Sequence, residues 1–310
     1  MYEVSPRTLL LAPRSFVNPV KPLIFNVRHG ESITNVDRNL HDHIADPAVW
    51  LTEKGKAQAK ASAESLVAEF RRLPPEMRPP RIRLYRSNYR RARETAYRFV
   101  QAFKDANLGI TVDVKTESRM RELEFGYGGF LTEPNPAFNT MNNLLRYQGY
   151  KYFATRLGGE SPAHMEPRVR FMLSAIYRDF EKNGISTFIV VNHGITSRVL
   201  TMARYGLPPE WYEESENPDN AAIAFLPERY EDYGYVFPAA NGQWDPDWKP
   251  DAKDKGNPKL NQQGRFVSPD QMTILREAQK INPHIMSDLA LMLGSDRALT
   301  ITEAMKALGI

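Results

Sequence analysis

The 310-residue chain is 42% hydrophobic and 25% charged with a net charge of +4, a composition that suits one large globular domain or two ordinary ones. No apolar stretch approaches the roughly 18 residues of a membrane span. Leu9 to Ala12 is too short for a signal-peptide core, so a cytoplasmic location is expected. The absence of cysteine excludes disulfide frameworks, thiolate metal sites and cysteine nucleophiles together.

Residues 1–22 read as an N-terminal arm. From residue 23 onward, short strand-like runs alternate with helix-like segments. Leu23–Val27, Ile82–Tyr85, Ile110–Val114, Thr187–Val191 and Ala221–Leu226 are the expected strands. Residues 53–72, 88–105, 166–182 and 195–205 carry apolar positions at helical spacing, as in Val169, Met172, Leu173 and Ile176. Such alternation predicts an α/β fold, a three-layer α/β/α sandwich whose mostly parallel sheet binds ligands at the carboxyl ends of its strands. The domain is expected over residues 23–238, with an aromatic and basic lid insert at about 130–158 that holds Phe138, Tyr147, Tyr150, Tyr152 and Phe153. Five prolines among the polar residues of 237–269 mark 239–269 as an extended linker, and capping signals at Ser268 and Thr300 place a small helical appendix over 270–310. Nine basic and nine acidic residues from Asn241 onward leave the whole positive excess in the first 240 residues.

Two strand ends are built alike, Val27-Arg28-His29-Gly30 and Val191-Asn192-His193-Gly194. A histidine followed by a glycine at each directs both imidazoles into one crevice, with a helix N-terminus close to the ligand. The strand ending near Tyr85 leads into Ser87 and Arg91, which brings a guanidinium to the same rim. Two histidines and two arginines suit a phosphoryl group, because guanidinium forks match its oxygens and imidazole can accept it covalently. The charges of Arg28 and Arg91 disfavour protonation of His29 and leave it ready to attack. A proton donor for the departing oxygen is expected at Glu122, with Glu124 as the competing carboxylate. Arg90, Arg93 and Arg98 are expected on a solvated face. That run lacks stacking aromatics beyond Tyr85, Tyr89 and Tyr97, so nucleic acid is not the expected partner. His41 and His43 read as rim residues rather than metal ligands.

The ordered blocks Arg28-His29-Gly30-Glu31-Ser32 with Asn35, Leu51-Thr52-Glu53-Lys54-Gly55 with Gln58-Ala59, Ser87 with Arg91-Ala92 and Thr95-Ala96, Glu122 before Gly126, Gly159-Glu160-Ser161 with Arg168-Val169, and His193-Gly194 resemble the histidine phosphatase superfamily, of phosphoglycerate-mutase-like fold. The run from His193 to Val199 followed by Asn217-Pro218-Asp219-Asn220 looks most like its phosphatase branch. The resemblance implies His29 as the phosphate-accepting nucleophile, with Arg28, Arg91 and His193 forming the phosphate pocket beside Gly194. It also implies Glu122 as proton donor and Asn35 assisting at the pocket, with no metal and no cofactor. Ile33-Thr34-Asn35 and Tyr127-Gly128-Gly129-Phe130 depart from the mutase pattern, which favours hydrolysis of a small phosphate ester. A phosphoglycerate mutase and a catalytically silent phosphate-binding scaffold are the alternatives, and the appendix suggests a homo-oligomer.

Overall fold

The computed structural model describes residues 19, 21–37, 40–41, 43–126, 150–155, 158–228, 230 and 234–237. Most of the expected arm and of the lid insert, and all of the linker and the appendix, lie outside the described residues, as does Asp42.

Among the described residues six strands form one sheet in the order β3-β2-β4-β1-β5-β6, where β1 is Leu23–Arg28, β2 Arg81–Arg86, β3 Thr111–Thr116, β4 Thr187–Asn192, β5 Ile223–Leu226 and β6 Gly234–Phe237. The pairs β1 with β4, β4 with β2 and β2 with β3 are parallel, while β5 runs antiparallel to both β1 and β6. The helices are α1 Ile33–Val36, α2 Glu53–Arg72, α3 Arg90–Ala106, α4 Tyr150–Phe153, α5 Pro162–Asn183, α6 Gly194–Tyr205 and α7 Pro209–Glu214. No helix among the described residues is long and apolar enough to cross a membrane.

Strand alternation divides the core between two faces. Leu23, Phe25, Val27, Ile189 and Val191 pack against Leu66, Phe70, Phe99 and Phe103 of α2 and α3. Ile24, Phe188 and Val190 pack against Met165, Val169, Met172 and Ile176 of α5 and Val199 and Leu200 of α6. All of these side chains are buried, and the three-layer sandwich follows from that two-sided burial.

Two departures from the sequence reading have local causes. Helix α5 begins at Pro162 rather than near 166, because Ser161 caps it reciprocally with His164 and Pro162 occupies the first turn, where its missing N–H costs nothing. The edge strand β6 and the short helix α7 were not expected, since four to six residues are too few for periodicity to register.

The sheet order places β4 between β2 and β1, so the three carboxyl ends that carry Ser87, His193 and His29 lie side by side. Register aligns them: Arg28 pairs with Asn192 and Arg86 with Val191, and the Ser87 and His29 N–H groups donate to Val191 and Asn192 carbonyls at 2.9 Å.

Candidate active site

His29 follows β1 and is buried, only 4% exposed. Its Nδ1 lies 2.7 Å from the Gly30 carbonyl oxygen, and Arg91 Nε donates to its Nε2 at 3.2 Å. A carbonyl only accepts and a guanidinium only donates. The proton therefore sits on Nδ1, and the Nε2 lone pair faces Arg91. Burial holds the imidazole well below its usual pKa, with the charges of Arg91 and then Arg28 adding to it.

His193 is wholly buried at the N-cap of α6, its ring 5.2 Å from that of His29 at 65°. Nε2 lies 2.9 Å from Ser87 Oγ, while Nδ1 is buried without a hydrogen-bond partner among the described residues. A buried polar nitrogen without a partner is uncommon in folded proteins. Burial lowers the His193 pKa well below its usual value, helped by Arg91, His29, Arg28 and Arg168.

The two glycines do not serve as sharp turns, since neither has positive φ. A Cβ on Gly30 would stand 2.3 Å from the Gly55 carbonyl oxygen, and one on Gly55 would stand 1.9 Å from that of Glu31. Their role is close backbone approach: the start of α2 is pressed against the loop behind His29. The long helix expected to begin at the ligand exists only after His193, because Gly30 leads to the four-residue α1.

Arg91, 4% exposed, comes from the first turn of α3. Besides His29, its guanidinium binds Asp46 and lies 5.1 Å over the Tyr89 ring, which also meets His193 edge-on at 5.1 Å. Arg28 donates to the Pro218 carbonyl at 2.5 Å. Ala221, in the left-handed region at φ 60, donates its N–H to the His29 carbonyl and accepts from Ser62 Oγ.

Glu122 is buried and reaches the amino end of α6, two residues beyond His193. Its Oε1 accepts from the Leu123 N–H at 3.0 Å, the Thr196 N–H at 3.3 Å and Thr196 Oγ1 at 3.1 Å, while Oε2 has the Ile195 N–H at 3.4 Å. Glu124 instead lies at the surface, its side chain 52% exposed and paired with Arg121 at 3.1 Å. Burial and placement separate the two carboxylates, which spacing alone could not. The acid loop is held by Arg168, which donates to the carbonyls of Arg119, Arg121 and Glu122 and to Glu160 Oε2.

Asn35 sits at the exposed rim, its Oδ1 accepting from Ser32 and from Asn220 Nδ2, so the structure gives it a loop-bridging contact. Gly194 opens α6 with Asn217 packed against it. Arg90 and Arg93 are exposed as expected, and Tyr85 and Tyr89 are buried. His41 lies 3.9 Å from Asp46. Within the expected lid, Tyr152 is core, its ring 5.8 Å from Tyr212, and Phe153 is exposed.

The sequence reading passed over Asp46, Tyr89, the scaffolding role of Arg168 and a buried network formed by Asn26, Asn192 and Ser197. The signal for the last was a polar residue inside each of two apolar strands.

The histidine phosphatase superfamily (branch 1) matches residues 24–241. Phosphoglycerate mutase-like protein AT74 of Arabidopsis thaliana is 30% identical over 212 residues, 66% of this chain and 64% of that protein, so the match spans under two thirds of the plant relative's length. The broad-range acid phosphatase DET1 of Saccharomyces cerevisiae is 23% identical over 298 residues, covering 68% of this chain and 87% of the yeast protein. Among solved structures, mycobacterial hydrolase 1 shares the fold with a TM-score of 0.53 at 21% identity, covering 69% of this chain and 95% of that one. With most of the sandwich inside the matched segment, the chain belongs to the histidine phosphatase superfamily, branch 1.

Proposed function

We propose that the chain is a metal-independent phosphomonoesterase that hydrolyses a small phosphorylated metabolite through a phosphohistidine on His29. One observation carries the reading: the His29 tautomer is locked, with Nδ1–H on the Gly30 carbonyl and the Nε2 lone pair turned toward a buried guanidinium. A neutral, desolvated imidazole aimed at an anion site is an activated nucleophile.

In this scheme the phosphoryl group lies between Arg28, Arg91 and His193. Ser87 gives its hydroxyl proton to His193 Nε2, which leaves Nδ1–H, the orphan nitrogen, to donate to a phosphoryl oxygen. His29 Nε2 attacks phosphorus in line, the ester P–O bond breaks, and protonated Glu122 gives its proton to the leaving oxygen. The resulting carboxylate then takes a proton from water as that water attacks phosphorus and releases His29 and inorganic phosphate. The guanidiniums neutralise the transferring group, and the neutral His193 imidazole hydrogen-bonds to it. The yeast relative's name, an acid phosphatase, supports hydrolysis. Cytoplasmic residence and self-association through residues 270–310 belong to the same proposal, and sedimentation of the full chain tests the second.

Quenching the enzyme during turnover of a labelled monoester should trap an acid-labile, base-stable phosphoenzyme that His29→Ala cannot form. The same variant should lose activity by on the order of 10⁴ or more, and no phosphoryl transfer to 3-phosphoglycerate is expected. Equal turnover by wild type and His29→Ala would remove His29 as nucleophile.

A further inference from the structure

The Arg91 guanidinium is a planar array of five N–H groups. Nη1 spends both of its own on Asp46, one on the carbonyl oxygen at 2.8 Å and one on Oδ1 at 2.7 Å, and Nη2 reaches Oδ2 at 3.3 Å. The outer fork is thereby closed by one residue. Nε–H points the other way, to His29 Nε2 at 3.2 Å, and Nη2 keeps a second N–H on that side. Two edges of one guanidinium are thus used differently, one by a carboxylate and the other by the imidazole that would receive the phosphoryl group.

Asp46 is itself held. It opens a 3₁₀ turn with Pro47 next to it, and the strip that follows is laced to α3 at Arg91 and one turn later: the Arg91 N–H donates to the Val49 carbonyl at 3.1 Å and the Leu51 N–H to Glu94 Oε2 at 2.9 Å. Because a main-chain and a side-chain acceptor grip the same nitrogen, the guanidinium cannot rotate without losing both.

We propose that Asp46 is the positioning residue of the phosphate site: by closing the outer fork of Arg91 it turns the inner fork, Nε–H and the free Nη2–H, onto the phosphoryl oxygens. The proposal rests on the phosphatase reading above. It opposes a plainer role for Asp46 as a counter-ion, and the two differ in sign. A mere counter-ion competes with the phosphate dianion, so its removal tightens anion binding; a positioning carboxylate loosens binding when removed, because the freed guanidinium must be ordered by the ligand.

The test uses the full chain with Asp46→Asn, Asp46→Ala, Arg91→Lys and the Asp46→Ala/Arg91→Lys pair. Inorganic phosphate affinity is read by calorimetry, and KM and kcat with p-nitrophenyl phosphate. Asp46→Ala should weaken phosphate binding and raise KM by about ten- to a hundredfold, the value of hydrogen bonds to a charged group. Asp46→Asn, which keeps one acceptor and the shape, should fall between. In the Arg91→Lys background, where no fork exists to aim, the Asp46→Ala effect should shrink to about twofold or less. Tighter or unchanged phosphate binding in both Asp46 variants overturns the proposal, as does an undiminished effect in the lysine background. Should the alanine variant fail to fold, the near-isosteric asparagine variant decides by the same sign. Wild-type enzyme without turnover defeats the phosphatase reading and this inference with it, whereas normal turnover with indifferent Asp46 variants defeats this inference alone.

Discussion

The two oxygens of Glu122 are not equivalent. Oε1 takes three donors at 3.0 to 3.3 Å, whereas Oε2 has one at 3.4 Å. The anchored oxygen leaves Oε2 as the one able to carry the proton to a leaving group. Glu122→Gln should therefore slow alkyl monoesters by about 10²- to 10⁴-fold and aryl monoesters, whose leaving groups need less protonation, far less. Equal slowing of both series, measured as kcat/KM, removes Glu122 as the acid. The buried His29 makes a second prediction. Its pKa lies well below the ordinary imidazole value of 6.5, so protonation of the proposed nucleophile begins only in more acidic solution. The His29-dependent acid limb of kcat/KM should fall below pH 6.5; a limb at or above that value contradicts the neutral, desolvated imidazole. Both residues were legible as candidates, because their types and spacing carry the chemistry. Asp46 was not: nothing in Ala-Asp-Pro-Ala distinguishes a carboxylate that will meet a guanidinium 45 positions away from one bound for solvent.

At the level of elements, the two histidine-bearing strands are joined below the site by a satisfied polar network. Asn26 Nδ2 donates to the Ser197 carbonyl at 3.1 Å, Asn192 Nδ2 to Asn26 Oδ1 at 2.8 Å and Ser197 Oγ to Asn192 Oδ1 at 2.6 Å. These side chains ties β1, β4 and α6 in one register, so the rings of His29 and His193 are set by hydrogen bonds with directional geometry rather than by apolar packing alone. Replacing Asn26 with leucine orphans the Asn192 amide, whereas the Ser197 carbonyl keeps Thr201 Oγ1 as a donor at 3.0 Å. It should lower the free energy of unfolding by about 1–3 kcal/mol, read by denaturant titration. A stability equal to wild type would show that the network is dispensable. Gly55→Ala places a methyl against the Glu31 carbonyl and can be accommodated only by backbone movement. A loss of about 1–3 kcal/mol is expected, with activity falling more than stability because the loop that moves carries His29. The helices and strands themselves were readable from alternation and helical spacing. Where one element approaches another this closely was not, because a glycine in sequence does not declare whether it serves a turn or a contact.

The whole molecule responds to pH through the buried imidazoles of His29 and His193. Both are buried and both have pKa values lowered well below 6.5 in the folded state. In the unfolded chain they titrate near 6.5, so below that pH the unfolded state binds more protons than the native one. Their contribution is therefore intact above pH 6.5 and is lost as pH falls toward the depressed folded values, with a slope of about 1.4 kcal/mol per pH unit for each imidazole. Melting temperature should drop through this window, and a His29→Asn/His193→Asn variant should flatten the slope. A wild-type profile already flat between pH 6.5 and 5 contradicts burial in the neutral form.

By itself the sequence determined the alternation of strands and helices, the absence of thiol chemistry and the pair of histidine-glycine strand ends, because these are local properties of composition and spacing. Only the tertiary structure decided which carboxylate is buried beside α6, which tautomer His29 holds and that Asp46 closes one side of Arg91. Those facts depend on contacts between side chains 45 to 74 positions apart, which form only when the elements carrying them pack together and which no local pattern encodes.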